Sequence, residues 1–125
     1  MEQVNAGERI WEPSPEFKAK ANLTQYMNWL DAERGLRFTT YAELWRWSVE
    51  NIEEFWSSLF SYFELTYSQP WTTPLEARRM PGARWFPGAK LNYIENILAR
   101  QTPGQPALIY KAEDSPLQEM SWGEL

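Results

Sequence analysis

Trp85-Phe86-Pro87-Gly88-Ala89-Lys90-Leu91-Asn92-Tyr93-Ile94-Glu95-Asn96 is the stretch from which the rest of this sequence is read. Its first half is a rigid aromatic turn. Pro87 fixes its own φ, and Gly88 adopts a backbone conformation that costs other residues energy. Its second half starts a helix. Asn92 and Glu95 stand at capping-box spacing, where a side-chain acceptor and a carboxylate satisfy the first free N–H groups. Ile94, Ile97 and Leu98 give that helix, expected to run to Arg100, one apolar face. The stretch reads as an elbow between two kinds of structure, with no reacting group of its own.

Upstream of the elbow, Pro70, Pro74 and Pro81 exclude a long helix. Residues 65–83 are expected to form an extended connector with Trp71, Leu75 and Met80 as contact points, and Leu65-Thr66-Tyr67 is either a brief strand or an extended run. Before it comes the strongest period in the chain. Thr40 and Glu43 form a capping box, and Tyr41, Leu44, Trp45, Val49, Ile52, Phe55, Trp56, Leu59, Phe60 and Phe63 follow at helical steps. Glu50, Glu53, Glu54, Ser57, Ser58 and Ser61 take the other face. Asn51 with Glu54 offers a further box, so residues 41–63 are one helix or two, with a break near Ser48 to Asn51; the stripe stays in phase and leaves both readings open. Earlier still, Ser14 caps and Pro15 opens a helix expected to reach Arg34 with a bend near Asn22. Ala19, Leu23, Met27 and Leu30 share its apolar face, with Tyr26 and Trp29 beside it, and Gly35-Leu36 closes it. Residues 1–12 read as a leader with one anchor, Trp11.

Downstream, Pro103-Gly104 turns into Ala107-Leu108-Ile109-Tyr110, an apolar run of strand type. Asp114-Ser115-Pro116 turns again, and Gln118-Glu119-Met120 is the expected hairpin partner. Ser121-Trp122-Gly123-Glu124 is another capping box, one residue before the last. A helix signal without a helix is of little use, since isolated helices shorter than ~12 residues are marginal. A lone two-stranded hairpin is marginal too. Residues 106–125 therefore read as the opening of a further domain.

Composition narrows the function classes. Of 125 residues, 43% are apolar and 16% aromatic, with eight tryptophans, more aromatic surface than a small core needs. The net charge of −5, without a basic run, argues against nucleic acid and anionic membranes as partners. Cysteine and histidine are absent, which excludes disulfides, Cys/His zinc sites, a thiolate nucleophile and a Ser-His-Asp triad. No signal peptide and no membrane-length apolar run is visible, so the cytoplasm is the expected setting.

Several blocks appear in a familiar order: Asn22-Leu23-Thr24, Tyr41-Ala-Glu-Leu-Trp-Arg-Trp-Ser-Val49, Phe55-Trp56, the run from Met80 to Asn96, and Pro106-Ala-Leu-Ile109. From about Trp11 onward the chain resembles the N-terminal part of the acetyl-CoA synthetase group in the adenylate-forming (AMP-binding) superfamily. Leu44-Trp-Arg-Trp-Ser-Val49 and Trp85-Phe-Pro-Gly-Ala89 resemble its acetoacetate–CoA ligase branch more narrowly. The resemblance implies an α-rich N-terminal region over residues 13–105, leading into the first β-strands of a truncated α/β AMP-binding domain at 106–125. It implies a parent ligase that joins acetoacetate to coenzyme A through an acyl-adenylate, using ATP, Mg and coenzyme A. The family's phosphate loop, adenine and magnesium motifs and catalytic lysine have no counterpart in these residues. No catalytic, cofactor-binding or metal residue is therefore assigned, the chain alone is expected to be inactive, and its expected partner is the AMP-binding domain.

Other readings were weighed on spacing. Gly82-Ala-Arg-Trp-Phe-Pro-Gly88 has five residues between its glycines and Ala89 after the second, unlike a P-loop. Glu53-Glu54 splay about 100° apart on a helix and read as a solvated face. Glu113-Asp114 fall in a turn, where acids bond local backbone. Arg78-Arg79 with Arg84 read as surface cations rather than a coenzyme phosphate site. The tryptophan stripe reads as a packing face, with Trp29 and Trp47 off it as the expected contacts for the further domain. The alternatives kept open are an aromatic-rich helical interaction module, and a ligase region for another short acid.

Overall fold

Ser14 sets where the first helix begins. Its Oγ accepts the Phe17 N–H at 3.2 Å, and Pro15, which lacks an N–H, stands where none is needed. The computed structural model describes Gly7 and residues 10–125, so the leader expected over residues 1–12 lies mostly outside the described residues; Trp11 within it is 70% exposed. The chain divides into two units, Met1–Glu64 and Leu65–Leu125.

The helix expected from Pro15 to Arg34 is two helices. Ala21 is extended (φ −64°, ψ 138°) and separates α1 (Pro15–Lys20) from α2 (Asn22–Arg34). Thr24 Oγ1 donates to the Lys18 carbonyl, which also takes the Ala21 N–H, and Gln25 Nε2 donates to the Lys20 carbonyl at the end of α1. The break also moves the apolar face: Ala19 and Leu23 are exposed, and Tyr26 and Leu30, one turn apart, are buried. α2 stops at Gly35, whose N–H still makes the helical bond to the Asp31 carbonyl and whose left-handed φ of 66° turns the chain after it. Leu36 donates to the Leu30 carbonyl and packs back on the core, as expected of a glycine stop.

α3 (Tyr41–Glu50) begins at a complete capping box, Thr40 Oγ1 accepting from the Glu43 N–H and the Glu43 carboxylate accepting from the Thr40 N–H. The long stripe then breaks at Asn51 (φ −118°, ψ 54°), and α4 (Ile52–Tyr62) follows, so the region holds two helices. Asn51 does not make the expected box with Glu54. Its Nδ2 reaches back to the Trp47 carbonyl at 3.4 Å, closing α3 instead of opening α4.

Tyr26, Leu30 and Leu44 form the buried centre of this unit. The Tyr26 ring lies 5.1 Å from Tyr62 and 6.3 Å from Phe55, edge on, and stacks at 6.2 Å on Trp29. Trp47 meets Phe38 at 5.3 Å and Phe55 at 5.9 Å. Trp29 and Trp47 are thus half-buried core partners, which corrects their expected role as contacts for another domain. Edge-to-face pairs of this kind contribute about 0.5–1.5 kcal/mol beyond their buried area. Tyr26 brings a hydroxyl into the core, and Ser58 of α4 answers it. Ser58 Oγ spends its own proton on the Phe55 carbonyl at 2.7 Å, so Tyr26 is the donor of the pair. Burial pushes the Tyr26 phenol above its ordinary value and keeps that proton in place.

In the second unit, α5 (Tyr93–Leu98) is shorter than expected and only the Asn92 half of its capping box forms, with Asn92 Oδ1 accepting from Ile94. Residues 65–67 form no strand; Thr66 is instead clamped by Asn96, whose Oδ1 accepts its N–H at 2.8 Å and whose Nδ2 donates to its carbonyl at 2.9 Å. β1 (Pro106–Tyr110) and β2 (Gln118–Ser121) make the expected antiparallel hairpin, pairing Leu108 with Met120 and Tyr110 with Gln118, with an irregularity between Pro106 and Leu108. The fold is therefore helix-rich, with a small two-stranded sheet near the C-terminal end.

Ser58→Ala leaves the buried Tyr26 hydroxyl without an acceptor and is expected to cost about 1–3 kcal/mol. Tyr26→Phe removes the donor itself and is expected to cost less, about 1 kcal/mol; urea unfolding of the two variants gives the order. The Thr39 and Thr40 backbone N–H groups, with the Thr39 hydroxyl, hold the Glu43 carboxyl below its ordinary value. A depressed folded pKa gives stability that is present above the unfolded value and lost as pH falls through the folded one. Acid titration of the unfolding midpoint should show that loss below the usual carboxylate range, and Glu43→Gln should flatten it.

Candidate functional site

The connector and the elbow pair with each other in nested order. Glu76 donates its N–H to the Arg84 carbonyl at 3.1 Å, Phe86 to Pro74 at 2.9 Å and Thr72 to Pro87 at 3.0 Å. Lys90 and Gln69 exchange backbone bonds at 3.0 and 3.3 Å, and Leu75 and Trp85 form a second isolated bridge. Between the Thr72–Pro87 and Gln69–Lys90 pairs, Ala89 donates to the Phe86 carbonyl across Pro87-Gly88. Gly88 has φ 88°, so Pro87 at the second position and glycine at the third make the turn that the sequence predicts. Phe86, with φ 46°, holds a left-handed conformation that is unfavourable for its side chain. Its ring is seated against Trp71 at 5.2 Å, and Trp71 meets Tyr67 at 5.7 Å.

Of the expected connector contacts, Leu75 is buried and Trp71 sits in that aromatic row, but Met80 is 86% exposed and makes no core contact.

This geometry does not fit a phosphate cradle. Such a cradle turns free backbone N–H groups toward the anion, whereas the N–H groups of Phe86, Ala89 and Lys90 are spent on main-chain carbonyls. Arg84 is paired with Glu76 at 3.2 Å, and the Arg79 guanidinium lies over Gly82, 3.8 Å from where a Cβ would stand. Glu53 and Glu54 occupy the first turn of α4, and Glu113 and Asp114 a turn bounded by an Ala112–Ser115 pair of bonds. Among the described residues no group of three or more Asp or Glu side chains is placed to hold a metal ion.

A second place was not singled out from sequence. An open cleft of about 500 Å³ is lined by Thr102–Pro106, Glu119 and Ser121–Glu124. Within it the Glu124 carboxylate accepts from both the hydroxyl and the N–H of Ser121, at 2.7 and 2.8 Å. Those bonds hold the Glu124 carboxyl below its ordinary value, which makes it a poorer base for the serine it touches. Only the Glu124 half of the expected capping box forms, since the Glu124 N–H goes to the Ser121 carbonyl while the Ser121 hydroxyl donates to the carboxylate. Trp122 Nε1, buried at the cleft, has no acceptor among the described residues.

A third place lies wholly in the first unit. Leu23, Tyr26 and Leu59 line two adjoining apolar hollows between α2, α3 and α4, of about 380 and about 200 Å³. Periodicity hid it, because the same stripe supplies both the core and this outer face. Leu44 and Phe60 are buried, while Tyr41, Trp45 and Val49, four residues apart on α3, are 65%, 54% and 51% exposed.

Comparison with known proteins places these features. Residues 41–97 match the family described as acetyl-coenzyme A synthetase N-terminus. The chain is similar to an acetoacetyl-coenzyme A synthetase of Rhizobium meliloti (strain 1021), 29% identical over 122 residues that cover 98% of this chain and 19% of the relative. A Xenopus tropicalis acetoacetyl-CoA synthetase is 29% identical over 129 residues, covering 100% of this chain and 19% of the relative. A malonamoyl-CoA synthetase of Penicillium aethiopicum is 28% identical over 98 residues, 77% of this chain and 13% of the relative. The solved structure of an acetoacetyl-CoA synthetase from Streptomyces lividans superposes with a TM-score of 0.80 at 36% identity, over 93% of this chain and 18% of that one. The chain spans about a fifth of the length of the acetoacetyl-CoA synthetases it matches. Residues 41–97 are thus similar to an acetyl-coenzyme A synthetase N-terminus, and over 93% of its length the chain is built like part of an acetoacetyl-CoA synthetase.

Proposed function

We propose that this chain is the frame-building N-terminal region of an acid–thiol ligase that joins acetoacetate to coenzyme A with ATP, and that it contributes no reacting group itself. The observation that carries the proposal is the match in both sequence and fold to acetoacetyl-CoA synthetases. The bonding of the turn supports the second half, since the N–H groups of Phe86, Ala89 and Lys90 go to main-chain carbonyls. In this reading the binding and chemistry of ATP, Mg and coenzyme A fall to an AMP-binding ligase domain, the partner it requires. Acetoacetate is the acid in the names of the relatives that span this chain. A relative named for malonamoyl-CoA matches a shorter part of it, which fits a segment that follows the ligase architecture more closely than the acid.

The test is pyrophosphate release from ATP, Mg, acetoacetate and coenzyme A. The chain alone should give none, and acetoacetyl-adenylate formed by the chain alone would falsify the division of labour. Added to a polypeptide carrying the rest of the Streptomyces lividans synthetase, the chain should raise both its turnover and its melting temperature, as a partner that binds only the folded state must. An unchanged rate and an unchanged melt would remove the proposed role.

A further inference from the structure

We propose that the apolar trough between α2, α3 and α4 is the seat of the ligase domain, an inference that rests on the function proposed above and names the surface it uses. The two hollows share Leu23, Tyr26 and Leu59, so they form one trough. No charged side chain lines it; its polar groups are Asn22, Ser48 and tyrosine hydroxyls. In a chain with 23% charged residues, that composition marks a surface meant to be dry. Tyr41 and Trp45 stand at its edge on α3, with Val49 continuing the same face. Large exposed aromatic side chains around a concave apolar patch are the usual anchors of a protein interface.

Two observations select the occupant. The chain covers only 19% of the Rhizobium relative and 18% of the Streptomyces structure, so each carries most of its length outside the matched segment, enough to fill the trough. A trough is also a poor complement to itself. Across a two-fold axis the same patch must meet the same patch, and two hollows facing each other leave both unfilled. The occupant is therefore a convex, uncharged, apolar segment of the ligase domain, held by a contact of the kind that permanent assemblies use.

The experiment titrates the full ¹⁵N-labelled chain with the polypeptide carrying the rest of the Streptomyces lividans synthetase and follows both by NMR. The Trp45 indole N–H and the Leu23 and Leu59 amides should shift or broaden. Trp45→Glu and Tyr41→Glu, both at exposed positions, should each weaken the association at least tenfold while the circular dichroism and unfolding midpoint of the free chain stay as they are. Shifts confined to Leu65–Leu125, or unchanged affinity of both variants, overturn the docking surface. If turnover is still raised in that case, the proposed function stands without it. Groove shifts that appear on concentrating the chain alone, and that the ligase polypeptide does not alter, assign the trough to a second copy and overturn the proposal. Groove engagement without any gain in turnover keeps the surface and removes the function.

Discussion

The helical unit turns on one hydroxyl. Tyr26 is nearly fully buried, and a phenol can be buried at little cost only where its proton has an acceptor. Ser58 supplies it from a separate helix, 32 residues away in the chain, and can do so because its own proton is already committed to the Phe55 carbonyl. The bond thus has a direction, and it favours the rotation of α4 that keeps Ser58 against Tyr26 of α2. Once that rotation is set, Phe55, Tyr62 and Trp29 fall around the Tyr26 ring, and Leu30 and Leu44 close the centre beneath it. The remaining apolar side chains of the stripe, Tyr41, Trp45 and Val49 among them, are turned outward by the same choice.

What the sequence made legible were the local rules. Ser14 with Pro15, Thr40 with Glu43, Gly35, and Pro87-Gly88 each act through bonds to residues a few positions away, so spacing alone identifies them. The hairpin was legible for the same reason. Side chains with two possible local partners were not. Asn51 had a forward partner in Glu54 and a backward one in the Trp47 carbonyl, and geometry at the end of α3 favoured the second. The bend expected near Asn22 is a full break at the extended Ala21, where the side chains of Thr24 and Gln25 bond the Lys18 and Lys20 carbonyls. Trp29 and Trp47 were misplaced because a wide apolar stripe shows that a helix is amphipathic without showing which edge meets the core.

The functional reading was legible differently. The elbow spends the N–H groups of Phe86, Ala89 and Lys90 on main-chain carbonyls, and it lies within the segment that is similar to the acetyl-coenzyme A synthetase N-terminus. Its glycine, proline and aromatic residues are required by the turn and by the seat of Phe86, which are demands of shape. The trough stayed hidden because nothing in a heptad-like pattern distinguishes an apolar position that is covered by its own helices from one left for a partner.

The nested pairing of connector and elbow has a kinetic meaning. The Glu76–Arg84 pair closes eight residues, Thr72 to Pro87 closes fifteen, and the Asn96 clamp on Thr66 closes thirty. Each closure lies inside the next, so a chain that has made the inner one meets the outer one with most of the intervening loop already tied down. Loop-closure entropy grows only with the logarithm of the free length, and here that free length is a few residues at each step. The segment can therefore zip from its inner loop outward, a low-contact-order route that topology makes fast. The inner loop of residues 77–83, which the first closure ties down before the Pro87-Gly88 turn is reached, is then where this part of the molecule starts to assemble.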